Sequence, residues 1–332
     1  MIKNSSKFLL TLSLLFVLPL ISLGQSVDNT NSLQISISPA NPEPKQLVKI
    51  NVNSFIFDIN RSKNTFYIDG IKKREEIGLK EFTLEAGKGG QKTTIRVTAE
   101  TAQNGIKEAE ISFIPNFVDL IYESLSYTPP FYKGKTLNPN QGIVLVTAIP
   151  ELIKSSGIKV PTQDIIYSWK KNGKVDQNAS GIGKNTYIFQ GSIPIRDSLI
   201  EVNASSLEGD IYAYKKVNIT NDSPKIIFYE DSPIYGIMFN RAIGKTVRMF
   251  ADEFKVKAFP YFMSVGYTQT PDLNYKWVIN GNSSENLDTD KSAMIFRQSG
   301  EGSGTANIDL KIENIPRIFQ FSDNSFTINF EK

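Results

Sequence analysis

Apolar and polar residues alternate in short runs along most of this chain, and the runs are broken by glycine, proline, asparagine and aspartate. Leu33-Gln34-Ile35-Ser36-Ile37 is the first such run; in Leu47 to Val52 the residues Val48, Ile50 and Val52 share a face. Alternate side chains of a strand point the same way, so each run reads as a half-buried strand. Further strands are predicted at Phe66-Tyr67-Ile68, Phe82-Thr83-Leu84, Thr94 to Thr98 and Ile111-Ser112-Phe113. Short strands at this spacing, with turn residues between them, are the pattern of an all-β sandwich. The glycine-rich Gly87-Lys88-Gly89-Gly90 lacks the Gly-Lys-Ser/Thr ending of a phosphate loop and lies between strands, so it is expected to be a hairpin loop.

The rest of the chain repeats one pattern twice. Tyr167-Ser-Trp169-Lys-Lys-Asn172-Gly173 returns as Tyr275-Lys-Trp277-Val-Ile-Asn280-Gly281, and Trp169 and Trp277 are the only two tryptophans. The alternation puts Tyr167, Trp169, Tyr275, Trp277 and Ile279 inward, and Ser168, Lys170 and Lys276 outward. Asn-Gly tolerates positive φ at both central turn positions, so each motif is expected to end in a tight hairpin turn. A fainter copy upstream has Phe66 at the tryptophan position and Asp69-Gly70 at the turn. Matching strands flank the two full copies: Leu120 to Glu123 and Ile227 to Glu230, Val146 to Pro150 and Val256 to Pro260, Tyr187 to Phe189 and Met294 to Phe296. The pairing Tyr122 with Tyr229 gives a spacing of 107, and Trp169 with Trp277 gives 108. A repeat of ~100 residues has the size of one sandwich domain, not of a solenoid unit.

Three tandem immunoglobulin-like β-sandwich domains are therefore expected, at 33–115, 117–222 and 224–332, joined by Pro115-Asn116 and by Asn221 to Pro224. Proline-containing joints are extended and stiff, so the domains should form a rod of independent units. The Tyr-x-Trp…Asn-Gly motifs, with the strands after them, resemble the bacterial immunoglobulin-like or PKD-like domains of secreted and surface proteins. The resemblance implies a role in adhesion, spacing or assembly. It names no ligand, because a fold of this kind hosts many functions.

The N-terminus changes the picture of where the chain works. Lys3 and Lys7 precede an apolar run from Phe8 to Ile21, and Ser22-Leu23-Gly24 supplies small residues for cleavage. This is the pattern of a secretory signal over residues 1–24, followed by a flexible lead-in at 25–32. The run is shorter than a spanning helix needs and contains Pro19, so membrane contact is expected only through this segment if it stays uncleaved. The protein is expected outside the cytoplasm, extracellular, at the cell surface or in a periplasm-like space. Removing Lys3 and Lys7 from 37 basic residues leaves 35 against 34 acidic, a net of +1. No strong field draws nucleic acid or an anionic membrane. Lys72-Lys73-Arg74 is followed by Glu75-Glu76 and reads as a solvated hairpin edge. Cysteine and histidine are absent, which excludes disulfides, thiolate metal sites, a catalytic thiol and a Ser-His-Asp triad. No catalytic, cofactor-binding or metal-binding residue is assigned.

Three features have residue types that could form a site. Asn286 to Asp290 spaces oxygen side chains as a calcium loop does, but Lys291 stands at the turn-glycine position and Arg297 at the closing acid, so a polar loop is expected. Glu230-Asp231 and Asp252-Glu253 are neighbours on strands and point to opposite faces, so neither is a natural catalytic dyad. The aromatic loops are the candidate binding surface: Phe131 and Tyr132 after Pro129-Pro130, Tyr235 to Phe239, and Tyr261 and Phe262 after Pro260. Exposed, they would bind protein or stack on sugars; the alternative is that they pack at the domain joints. The expectation is a non-enzymatic rod that spaces and binds other envelope or surface proteins. A carbohydrate-binding or adhesin module, with glycans as partners, is the second reading, and a hydrolase accessory or inhibitor the third.

Overall fold

The computed structural model describes residues 33–103, 105–284, 289–298, 300 and 302–330. The predicted signal segment 1–24, the lead-in 25–32 and Asn286 to Asp288 of the acidic loop lie outside the described residues. Apart from one 3-10 turn at Thr162–Asp164, the regular elements are strands, and no described helix is long and apolar enough to cross a membrane.

The first segment contains β1 (Gln34–Ser38), β2 (Leu47–Asn53), β3 (Lys63–Ile68), β4 (Ile71–Ile77), β5 (Glu81–Glu85), β6 (Thr93–Thr101) and β7 (Gly105–Phe113). They form two sheets, β1-β2-β5 and β4-β3-β6-β7. Val48, Ile50 and Val52 of one sheet meet Phe66, Ile95 and Val97 of the other in a single dry core. The basic run 72–74 lies in β4, an edge strand whose seven residues are all exposed. The glycine-rich loop is not a hairpin. It carries the chain from β5 in one sheet to β6 in the other.

The second segment follows with β8 (Phe117–Ser124), β9 (Ile143–Glu151), β10 (Ile166–Lys171), β11 (Lys174–Val175), β12 (Gly181–Ile182), β13 (Thr186–Gln190), β14 (Ser198–Ser205) and β15 (Tyr212–Ile219). Its sheets are β13-β9-β8 and β11-β10-β14-β15, with β12 also on β10. The third contains β16 (Lys225–Ser232), β17 (Gly236–Ala242), β18 (Thr246–Met249), β19 (Glu253–Tyr261), β20 (Leu273–Ile279), β21 (Asn282–Ser284), β22 (Ala293–Arg297), β23 (Gly304–Asn314) and β24 (Phe321–Phe330). Here the sheets are β17-β16-β19-β22 and β18-β24-β23-β20-β21. Each pair of sheets encloses its own apolar cluster, so the chain is three tandem immunoglobulin-like sandwiches.

One device recurs in all three. Phe66, Trp169 and Trp277 are buried on β3, β10 and β20, and each packs on a ring of the opposite sheet: Phe82, Tyr187 and Phe296, at 5.6, 5.6 and 6.4 Å. Both indole N–H groups are satisfied; Trp169 Nε1 donates to the Lys184 carbonyl (2.9 Å) and Trp277 Nε1 to that of Lys291 (3.1 Å). Asp69-Gly70, Asn172-Gly173 and Asn280-Gly281 all have positive φ at both residues, as a two-residue hairpin turn requires. The first turn residue also has a second task. Asp69 Oδ1, Asn172 Oδ1 and Asn280 Oδ1 accept the backbone N–H of Thr94, Leu199 and Asn307, at 2.8, 2.9 and 2.8 Å. The side chain thus ties each turn to the start of the next strand across, which a glycine there could not do.

The register revises one sequence pairing. Val146 and Val256 both point into their cores, and their partners across the ladder are Tyr122 and Glu230. Tyr122 therefore corresponds to Glu230, not to Tyr229, and the spacing becomes the 108 of the tryptophans. The counterpart of Tyr229 is Ile121, since these pair with Lys257 and Thr147. A slip of one residue exchanges faces: Tyr122 packs against the core, whereas Tyr229 lies on the outer face of its sheet.

Candidate functional site

The aromatic segments meet at one place, the joint between the second and third sandwiches. After β8 the chain does not return along its own sheet. Residues 125–137 cross to the third sandwich, where the Tyr127 N–H donates to the Met263 carbonyl and the Phe262 N–H to the Tyr127 carbonyl, both at 2.7 Å. The surface they reach is the outer face of β16 and β19, whose outward row is Ile227, Tyr229, Phe259 and Tyr261. Tyr127 and Leu137 pack against that row together with Phe239 and Phe262. The rings meet edge to face: Phe239 lies 5.3 Å from Tyr229 and 5.1 Å from Phe259, and Tyr132 lies 5.9 Å from Tyr261 and 5.7 Å from Phe262. Such pairs contribute about 0.5–1.5 kcal/mol each beyond their buried area. The Tyr229 and Tyr261 hydroxyls bond each other at 2.7 Å inside the cluster.

A polar half completes the joint. Gln320 is fully buried and uses both ends of its amide: Nε2 donates to the Asn140 carbonyl (2.6 Å) and Ser264 Oγ (2.9 Å), while Oε1 accepts from the Ser264 N–H (2.8 Å) and Asn314 Nδ2 (2.9 Å). Gln141 Oε1 accepts the Phe319 N–H at 3.2 Å, and Arg317 Nη1 donates to the Ser264 carbonyl at 3.2 Å. Phe131, Gln141 and Phe262 all sit at positive φ, a conformation that bulky side chains hold only when their surroundings impose it. At Phe262 it aims the N–H at Tyr127 while the ring stays buried.

The predicted surface is thereby divided. Tyr261 and Phe262 are buried and Phe239 is partly buried in the same cluster, so these three are joint residues; Tyr132 packs on Tyr261 and Phe262 and keeps its outer side exposed. Phe131 and Tyr235 remain exposed, at 85% and 77%. Two of the three segments are also not loops, since Gly236 to Phe239 belongs to β17 and Tyr261 ends β19. Sequence reading missed Tyr127, Leu137, Phe259 and Gln320. Phe259 carried a usable signal, being an aromatic residue in the outward register of a strand whose inward residues are Val256 and Ala258. Gln320 carried none.

Electrostatics at the joint follow from burial. Burial pushes the Tyr127 hydroxyl up to about 12, and burial and then the bond to Tyr229 push that of Tyr261 up as well. Three of the four acids in the neighbouring pairs sit in ion pairs. Asp231 pairs with Lys255 (2.8 Å), Glu253 with Arg297 (2.6 Å) and Glu230 with Arg241 (3.6 Å). Asp290 pairs with Lys257 at 2.9 Å; burial opposes its charge, but the bonds from Ser292 and Lys257 outweigh it and hold the carboxyl at about 2. Among the described residues no group of three acids is placed to hold a metal ion. The arrangement is suited to holding two sandwiches in one orientation.

No family model matches this chain, and no curated protein is similar to it. The solved structures similar to it include tandem arrays of fibronectin-III and immunoglobulin-like domains. One is the three N-terminal domains of the bacteriophage RB49 Highly Immunogenic Outer Capsid protein, at 14% identity over 90% of this chain and 98% of that one, with a TM-score of 0.25. Fibronectin(III)-like modules of Clostridium thermocellum CbhA cover 57% of this chain and 94% of their own, at 14% identity and a TM-score of 0.27. A Bacteroides ovatus protein of a mixed-linkage glucan utilization locus, SGBP-B, solved with a mixed-linkage heptasaccharide, covers 90% of this chain and 70% of its own, at 10% identity and a TM-score of 0.22. None of these likenesses bears on what this chain binds.

Proposed function

We propose that this chain is a non-enzymatic exported protein, a rod-like spacer of three sandwich domains (33–115, 117–222 and 224–332) that binds and assembles other proteins at the cell envelope or surface. The observation that carries this reading is the joint at Tyr127, Phe262 and Gln320, which fixes the second and third domains as one platform. A fixed platform presents its sheet faces in a set relation and lowers the entropy lost on binding a partner. The lack of histidine and cysteine, and the ion pairs that occupy the adjacent acids, are in keeping with a binding role.

Lysine-reactive cross-linking on intact cells, followed by mass spectrometry, tests the reading. Cross-links from the second and third domains to one envelope protein are expected; a chain found free in the medium without protein partners would sink it. Export is checked separately by N-terminal sequencing of the mature protein, expected to begin at Gln25. Exposed Phe131 and Tyr235 favour glycan binding as the second reading. It predicts retention on a glycan array that Phe131→Ala abolishes.

A further inference from the structure

The outer face of an antiparallel sheet in a sandwich normally meets water and is polar. The first sandwich follows this: the outward positions of β2 and β5 include Lys49, Asn51, Glu81, Thr83 and Glu85. In the third, the same face is apolar and lies under residues 125–137. The second sandwich has the apolar face without the cover. Ile121 of β8, Leu145 and Ile149 of β9 and Ile188 of β13 share it, with Leu145 directly opposite Ile188. Ile121, Ile149 and Ile188 are 54%, 50% and 62% exposed. By register, Ile121 stands where Tyr229 does and Ile149 where Phe259 does, two members of the row against which Tyr127, Leu137 and Phe239 pack one sandwich later.

Three observations indicate what would lie there. The third sandwich is covered by a chain segment rather than by a domain: residues 125–137 lay Tyr127 and Leu137 on its face and turn once at Pro129 to Tyr132. The open face runs into that interface, because Ile143, the next outward residue of β9, lines the joint groove beside Tyr127 and Val265. Asp119, Glu123 and Glu151 share the outward register, and none of them enters an ion pair among the described residues. Two copies joined face to face would bring these acids together, which disfavours self-pairing. The centre of the face carries isoleucine and leucine, and its one ring, Phe117, stands at the end of β8 opposite Glu151, so it offers no row of stacking platforms for sugars.

We propose that this face is a docking surface for an extended segment of a partner protein in which aliphatic residues alternate with lysine or arginine. The proposal rests on the protein-binding role above and names its surface. Its test places photoreactive p-benzoylphenylalanine at Ile188, with Thr83 on the polar face of the first sandwich as control, on intact cells. The Ile188 probe is expected to mark one peptide with that alternation, and the Thr83 probe is not. In parallel, a fluorescent decapeptide alternating valine and lysine is titrated onto the purified full-length chain. It should bind about tenfold tighter than a valine–glutamate peptide, and Ile121→Ser or Ile188→Ser should each weaken it about tenfold, as loss of a buried apolar contact does. Both positions are exposed, so an unchanged melting temperature verifies the fold. Equal binding of the two peptides, indifference to both substitutions, or photoproducts limited to a second copy or a glycan would overturn the proposal. A protein partner captured through another face would then leave the general role standing; peptide binding without any envelope partner would leave the surface and remove that role.

Discussion

At the first joint Gly90 lies against Ile153, its N–H donates to the Pro115 carbonyl at 3.0 Å, and Asn116 Oδ1 accepts the Ile153 N–H at 2.7 Å. One exposed ion pair, Lys215 with Glu43 at 2.7 Å, spans it. At the second joint a whole connecting segment crosses over, with an aromatic cluster, two short backbone bonds and a buried glutamine whose four bonds include contacts to both sides. Both linkers are short and contain proline, so linker composition alone does not set the stiffness of a joint. What differs is the length of chain between the first two strands of each sandwich. Between β1 and β2 it runs only from Pro39 to Gln46, whereas between β8 and β9 it runs from Leu125 to Gly142, long enough to reach the next sandwich.

Calorimetry should therefore show the second and third sandwiches unfolding together and the first apart. Phe262→Ala removes a buried ring at the centre of the larger joint and should cost about 3 kcal/mol, splitting the shared transition in two. Gln320→Ala should cost about 2 kcal/mol, because the Ser264 N–H and the Asn140 carbonyl lose buried partners. At the first joint the Cβ of Gly90→Ala would lie 2.7 Å from Ile153 Cγ2 and from the Lys154 carbonyl, at a φ of +79. That change should cost about 1–2 kcal/mol and leave the other transition in place.

Tyr261→Phe should cost about 1 kcal/mol at neutral pH by deleting the hydroxyl pair with Tyr229. The tyrosines also set a pH window. Tyr127 ionises near 10 when unfolded and near 12 in the joint, so the native state keeps a proton that the unfolded state has lost. The stability is complete below pH 10 and fades between about 10 and 12, and the transition of the second and third sandwiches should fall in that range. The first sandwich, whose only tyrosine is Tyr67, should change least. Smallest of all, Lys215→Ala should cost under about 0.5 kcal/mol and less in high salt, as exposed ion pairs do.

Strand identity was widely legible because most strands have one dry face. Val48, Ile50 and Val52 alternate in sequence and are all buried, and Trp169 and Trp277 announce their strands through a motif whose turn residues need positive φ. Strands lacking that contrast carried a weaker signal. β4 is exposed along its whole length and showed only as a hairpin edge, and β17, expected as an aromatic loop, has no buried residue. The candidate site was legible in its residue types but not in its role. Tyr132, Phe239, Tyr261 and Phe262 stood out as aromatics, yet only their convergence on one sheet face separates them from Tyr235 and from Phe131, which is exposed and meets the cluster only at Phe239.

The sequence by itself determined the strands, the repeat, the turns and the tryptophan cores, since each follows from local periodicity and from residue types with narrow backbone preferences. Tertiary structure alone decided register and docking. Tyr122 and Tyr229 look equivalent in sequence, but a one-residue difference in pairing turns one to the core and the other to the neighbouring sandwich. Partners such as Gln320 and Asn140 are joined by hydrogen bonds across 180 residues of chain, a distance over which no local pattern carries information.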